Sequence, residues 1–389
     1  MKIIQIFNRY LQAGGEEKSV VRIAEDLVNG GHALTRFWRE SAEWRRPGGA
    51  SRLRQPFLMW RNPEVLADLR REQTAVRADF WVMHNVVPVI SLGVYSLARE
   101  LGVPVVQWLH NYRPVSPNGA LFAGNRALDP GDKWIGLKET LAGSWNGRLA
   151  TAFLTFYYRR LKRNGDFASV RAWVAVSDEM RRIFQRAGWY PDRLYALRHS
   201  WHAEPAPAVH RDDGYFLFLG RMIEAKGPRF LIDLWRAPEL RDRKLIMAGD
   251  GPLVAELRRV SPSNVEWVGH VEGPVKRNLK EGCRAILFPS IWPEPLSTVA
   301  YEAYEMNKPI LASQNGGMPE IIQSGRTGLL LPPGDAVAWR DAVCSLSPAR
   351  SLEWGQAGRR WLMENASPQS WLAGFHQILK ESMQNRFPS

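Results

Sequence analysis

The feature that most limits how this chain can fold is an alternation that occurs twice. Short apolar runs, each closed by a turn rich in Gly, Pro or Asn, alternate with stretches of helical period. Buried runs separated by helices are the pattern of parallel strands covered on both faces. In the first half the runs are residues 2–7, 80–83, 103–109 and 172–176. Val20, Val21, Ala24, Leu27 and Val28 recur at helical spacing in a first helix over about 17–29, which Gly30-Gly31 stops. The Ala/Pro-rich stretch 202–208 reads as a linker. Beyond it the pattern restarts with runs at 215–219, 244–248, 265–268 and 285–288.

A chain of 389 residues is long for one core and comfortable for two. The expected fold class is therefore α/β: two Rossmann-like, doubly wound parallel-sheet domains, residues 1–202 and 203–368, facing across a cleft. The segments 45–61 and 113–145 interrupt the first domain. The second of them is expected as a long loop or short-helix insertion, and such segments are usually functional.

Nearly all of the net charge of +13 lies in the first 200 residues. The first domain is therefore expected to meet a polyanion or an anionic surface. No apolar run approaches the ~18 residues of a membrane span, and the apolar start at 2–7 is too short for a signal peptide. Cys283 and Cys344 sit in apolar contexts and match neither a disulfide framework nor a metal site. A reducing cytoplasm, no metal and no cofactor are expected.

The chemistry concentrates in the second half. Glu294 follows the run at 285–289, and Glu302 lies in a helical stretch at 298–306. A strand feeding a loop and then a helix turns backbone N–H groups toward an anion. Carboxylates on either side of it suit a ligand with phosphates in the middle and hydroxyls at both ends, as in a nucleotide sugar. Arg221 and Lys226 follow the run at 215–219 and precede another helix, so together they could clamp a diphosphate. The blander alternative is two solvated loop cations and two surface glutamates. Glu305, one turn beyond Glu302, is expected to be such a surface glutamate.

The pair Glu294/Glu302 and its frame resemble the E-x7-E signature of the GT-B glycosyltransferases of retaining family 4, the group 1 glycosyl transferases. Four further segments resemble that family in order and spacing: Gly14-Gly15-Glu16-Glu17, Leu219-Gly220-Arg221 with Lys226-Gly227, Ala248-Gly249-Asp250-Gly251-Pro252, and Gly316-Gly317-Met318-Pro319-Glu320 with Gly325 and Gly328. The match is strongest over 215–335. It implies a GT-B fold whose last helix, about 369–389, packs back on the first domain. It also implies a retaining, metal-independent transferase using a UDP or GDP sugar.

Carried over residue by residue, the resemblance makes His110, Glu294, Arg221 and Lys226 the catalytic set. Gly15, Arg221, Lys226, His270, Glu294, Leu296, Ser297, Thr298 and Glu302 would hold the donor. Gly14, Gly15, Tyr112 and Arg113 would form an acceptor-side loop. The family usually has Gly-Phe-Gly where this chain has Pro295-Leu296-Ser297.

The implied function is transfer of a sugar from a nucleotide-diphosphate donor to a glycan or lipid-linked saccharide, in cell-surface polysaccharide or lipopolysaccharide synthesis. A helix over 148–163, with Leu149, Phe153, Phe156, Tyr157 and Leu161 along it and Arg159, Arg160, Lys162 and Arg163 at its end, reads equally as a core helix or as a patch for an anionic membrane surface. The expected location is then the cytoplasm, peripheral at the inner membrane face. Two other classes compete: a GT-B-like binding protein without catalysis, and a basic nucleic-acid-binding protein. Nucleic acid is not an expected partner, since no familiar binding motif accompanies the charge.

Overall fold

The computed structural model describes residues 1–11, 14–123, 126–144 and 147–384. The chain divides into two compact units, residues 1–200 together with the final helix, and residues 201–367. The linker starts inside the second unit, where the Trp201 N–H donates to the Ala366 carbonyl at 2.7 Å.

In the first unit, β1 (Lys2–Arg9), β2 (Ala33–Glu40), β3 (Phe80–Met83), β4 (Val105–Leu109), β7 (Val170–Ala175) and β8 (Leu194–Ala196) form one parallel sheet in the order β2-β1-β3-β4-β7-β8. Ile3, Ile4, Ile6 and Phe7 are completely buried, as a strand with helices on both faces requires. The strand at 103–109 begins later than expected because Pro104 has no N–H to give the ladder; only its carbonyl pairs, accepting from Trp81 N–H at 2.9 Å. The edge strand β2 escaped the sequence reading, because its residues, Arg36, Phe37, Trp38 and Arg39 among them, are half-buried or exposed.

The segment 113–145 is not structureless. It holds a small hairpin, β5 (Phe122–Ala123) with β6 (Arg126–Ala127), and the helix Ile135–Ala142. Its Gly124, Asn125 and Trp145 lie outside the described residues. The buried Glu139 organises it, accepting from Ser116 Oγ and, at 3.1 Å, from Asn118 N–H. The last helix runs over Pro368–Gln384; residues 385–389 of the expected 369–389 lie outside the described residues. Trp371 stacks on Phe375 at 5.5 Å and lies 5.6 Å from Trp108 of β4, while a side chain at Gly30 would strike Leu372.

The second unit repeats the plan. Here β9 (Tyr215–Leu219), β10 (Lys244–Ala248), β11 (Val265–Gly269), β12 (Cys283–Phe288), β13 (Ile310–Ser313) and β14 (Gly328–Leu331) form a parallel sheet in the order β11-β10-β9-β12-β13-β14. β13 and β14 were not foreseen as strands. The order reverses between β9 and β12, and ligands of doubly wound sheets bind at the carboxyl ends of the strands flanking such a reversal. In the first unit the reversal lies between β1 and β3.

The aromatic anchor of the final helix carries a prediction. Trp371→Ala should cost the first unit about 3–5 kcal/mol and lower its unfolding midpoint in denaturant. An unchanged midpoint would show that the helix does not clamp that unit.

Candidate active site

In the second unit, the loops leaving β9 and β12 are laced to each other at the reversal. Ser290 Oγ and the Ile291 N–H both donate to the Ala225 carbonyl, at 2.9 and 3.1 Å. The lacing brings Lys226 and Glu294 into a direct, largely buried ion pair. Ser290 Oγ also lies 3.3 Å from the same carboxylate, and the Lys226 ammonium lies 5.3 Å from the Phe288 ring and 5.6 Å from the Trp292 ring.

Neighbouring turns close around this pair because two positions lack a side chain. Gly316, at φ +57°, would place a Cβ 2.1 Å from the Glu294 carbonyl oxygen. The closeness lets the Gly317 N–H donate to that oxygen at 2.9 Å. Gly249, at φ +143°, would place a Cβ 1.9 Å from the Gly220 carbonyl, and its N–H donates to Gly269 at 2.7 Å. Any L-residue would collide and be strained there. The glycine turns at 220, 249, 269 and 316–317 thus lie at the carboxyl ends of the strands.

Leu296, Ser297 and Thr298 follow Glu294 into the helix Val299–Glu305, and among the described residues their N–H groups have no hydrogen-bond partner. Arg221, on the β9 loop, is exposed and has no ion-pair partner among the described residues. Arg229 of the following helix is the contrast: Glu224 and Glu256 occupy it at 2.8 and 2.6 Å. Glu302 lies one turn into its helix, with Lys276 Nζ 2.5 Å and Lys280 Nζ 3.7 Å from its carboxylate. The sequence reading missed these two lysines; their spacing of four puts both on one face of the helix Gly273–Gly282. His270 is exposed at the end of β11, 3.3 Å from Glu272.

Glu305 corrects an expectation. It is buried, not on the surface, and accepts hydrogen bonds from the Trp201 indole at 3.0 Å and the Glu204 N–H at 3.1 Å. It fixes the start of the linker. The sequence could not show this, because its partners lie about a hundred residues away.

In the first unit a second polar cluster lies at the β1/β3 reversal. The Glu16 carboxylate accepts from Tyr10 at 2.9 Å and from Asn111 at 3.2 Å, and burial raises its pKa. Arg113 donates to Asn85 Oδ1 at 2.6 Å. Tyr112 sits next to this cluster in sequence. Its ring is fully buried, 6.1 Å from Phe184, because the turn closed by Ser116 N–H to the Tyr112 carbonyl at 2.8 Å folds it inward. Gly14 and Gly15 are exposed with nothing crowding them, so no close approach accounts for either. Gln12 and Ala13 of that loop lie outside the described residues.

His110, at the end of β4, is bonded to His84 at 3.0 Å and stacks on His199 at 6.3 Å. Burial and the positive charge of Arg22 push the His110 pKa down to about 3. Burial and neighbouring rings or charge also hold His84 and His199 well below the ordinary histidine range. All three are held neutral near pH 7, where each ring offers one hydrogen-bond donor and one acceptor.

A model of the family described as glycosyl transferases group 1 matches residues 213–347, the stretch that carries the Lys226–Glu294 cluster. The D-inositol 3-phosphate glycosyltransferase of Pseudarthrobacter chlorophenolicus is 33% identical over 327 residues, covering 78% of this chain and 70% of that protein. The chain belongs to the group 1 glycosyl transferases. The α-D-kanosaminyltransferase of Streptomyces kanamyceticus is similar as well, at 27% identity over 293 residues, with 70% of this chain and 67% of that protein covered. Several other relatives are matched over about half of their own length. The structure of Anabaena HepE in complex with UDP and glucose covers 98% of this chain and 99% of its own, with a TM-score of 0.68 at 16% identity. This glycosyltransferase therefore has the GT-B fold, and the Lys226–Glu294 cluster is its candidate active site.

The three neutral histidines make the glycosyltransferase acid-sensitive. Above pH 6.5 both folded and unfolded chains leave them uncharged. Below it the unfolded chain takes up protons that the folded one refuses, so stability falls as pH drops from about 6.5 toward about 3. Each histidine contributes up to ~1.4 kcal/mol per pH unit. Thermal melts at pH 7.5 and pH 5 check this; identical midpoints would refute it.

Proposed function

We propose that this glycosyltransferase is a retaining, metal-independent enzyme that takes a sugar from a nucleotide-diphosphate donor of the UDP or GDP type. Its acceptor is a glycan or lipid-linked saccharide, in cell-surface polysaccharide or lipopolysaccharide synthesis at the cytoplasmic membrane face. The observation that carries this reading is the Lys226–Glu294 pair, set beside three N–H groups without a protein partner and the exposed Arg221.

In this reading the diphosphate lies against Arg221, Lys226 and the N–H groups of Leu296, Ser297 and Thr298. Glu302 holds the ribose hydroxyls, Glu294 the donor sugar, and the β11 end near His270 the base. The bond from the anomeric carbon to the diphosphate oxygen breaks, and the acceptor hydroxyl bonds to that carbon from the same face. The hydroxyl's proton passes to the departing phosphate. Negative charge grows on the diphosphate as it leaves, so the cations favour the transition state over the ground state. A contact at about 4 Å at an effective dielectric near 20 is worth roughly 4 kcal/mol before desolvation. His110 of the first unit, kept neutral, serves the substrate as a hydrogen-bonding group.

Glu294→Gln keeps the shape of the side chain and should lose most turnover while the fold survives. Lys226→Ala should lose turnover too, with a stability loss of about 3–5 kcal/mol from the unpaired buried carboxylate. Near-normal turnover in both would contradict the assignment. Thermal shifts with UDP and with GDP then choose the base: a ligand at 100 times its Kd stabilises by about 2.7 kcal/mol.

The membrane part of the proposal has its own support. On the helix Arg148–Arg163 the inner residues Leu154, Tyr157, Tyr158 and Leu161 are buried, whereas Leu149, Phe153 and Phe156 form an exposed stripe. Arg160 and Arg163 continue that stripe at helical spacing. The helix serves core and surface at once, so the two sequence readings do not exclude each other. Each cation would add about 1 kcal/mol at an anionic bilayer. Co-sedimentation with vesicles rich in anionic lipid should be salt-sensitive and reduced by Phe156→Glu; absence of binding at any salt concentration would remove the membrane.

A further inference from the structure

The polar chain behind His110 has a direction that can be worked out from its fixed end. The Gln5 side-chain nitrogen lies 2.9 Å from the Val20 carbonyl oxygen and 3.1 Å from His84 Nε2. A carbonyl oxygen only accepts. Turning the Gln5 amide over would set two oxygens against each other at that distance, so the amide nitrogen faces Val20. Its second hydrogen then points at His84 Nε2, which must be the bare nitrogen. A neutral, buried imidazole with a bare Nε2 carries its proton on Nδ1. That nitrogen is the one 3.0 Å from His110 Nε2.

The direction then passes to the next ring. His110 accepts at Nε2, so its own proton sits on Nδ1, which has no hydrogen-bond partner among the described residues. The geometry is braced on both sides. Gln107 donates to the His84 carbonyl at 3.0 Å, and the His199 ring lies parallel to His110 within 8°.

We propose that His84 is a positioning residue for sugar transfer: by donating to His110 Nε2 it fixes the tautomer in which His110 Nδ1–H is the donor offered to a substrate oxygen. This rests on the reading of His110 as a residue at the substrate. A fixed donor matters most toward a phosphate or ring oxygen, which has only lone pairs. A hydroxyl could accommodate either tautomer. The chain Val20–Gln5–His84–His110 thus converts one main-chain carbonyl at the start of the fold into a defined donor at the end of β4.

The test uses the full chain with 15N-labelled histidine. The sequence has eight histidines, and loss of a signal in His110→Gln assigns the ring. Long-range proton–nitrogen correlation between pH 6 and pH 8 should show His110 with Nδ1 protonated and Nε2 bare. In His84→Leu the other tautomer should appear, and kcat should fall about tenfold with KM little changed, the size expected for one misdirected hydrogen bond. His84→Asn keeps an amide donor near the Nδ1 position and should recover kcat to within about threefold. A wild-type His110 protonated at Nε2 overturns the proposal even if His84→Leu does not fold, and so does a folded His84→Leu with undiminished kcat. Full turnover in His110→Ala would overturn the placement of His110 at the substrate, while the spectrum would still report which nitrogen carries the proton.

Discussion

The Lys226–Glu294 pair holds the candidate site together. It joins the loop after β9 to the loop after β12, at the point where the strand order of the second sheet reverses. Isolating either charge in so buried a place would be costly, since an uncompensated ion there loses several kcal/mol of hydration. The pair is therefore both a structural tie and the place where a cation and a carboxylate stand ready side by side. Its neighbours are fixed by backbone contact: the Glu294 carbonyl is held by Gly317, and Gly316 is the residue that lets the turn come close enough.

The polar cluster of the first unit works by a different principle. Its histidines are kept uncharged by burial, and its one organised carboxylate, Glu16, is surrounded by donors. The Lys226–Glu294 pair of the second unit, by contrast, is an ion pair. Direction of hydrogen bonding is concentrated at the end of β4, in the first.

Much of the second half was legible in the sequence because its chemistry sits in short loops of fixed length. Arg221, Lys226, Glu294 and Glu302 stood out by their place between a strand end and a helix start, and the family resemblance supplied their roles. The strands β2, β13 and β14 were not legible. β2 is a half-exposed edge with Arg36, Arg39 and Glu40 along it, and β13 and β14 are short. Tyr112 shows the limit from the other side: the family resemblance placed it in an acceptor-side loop, and its ring is fully buried beside a turn closed four residues later. Lys276, Lys280 and the buried role of Glu305 depend on partners distant in sequence, which no local pattern reports.

The alternation of buried strands and helices, the glycine turns and the identities of the charged loop residues were set by the sequence alone, because periodicity and turn chemistry act over a few residues. Which charges pair, which nitrogen of His84 carries its proton, and whether a given glutamate faces water or the core were decided only by tertiary structure. Those outcomes depend on desolvation and on distances of about 3 Å between groups that the chain brings together from far apart.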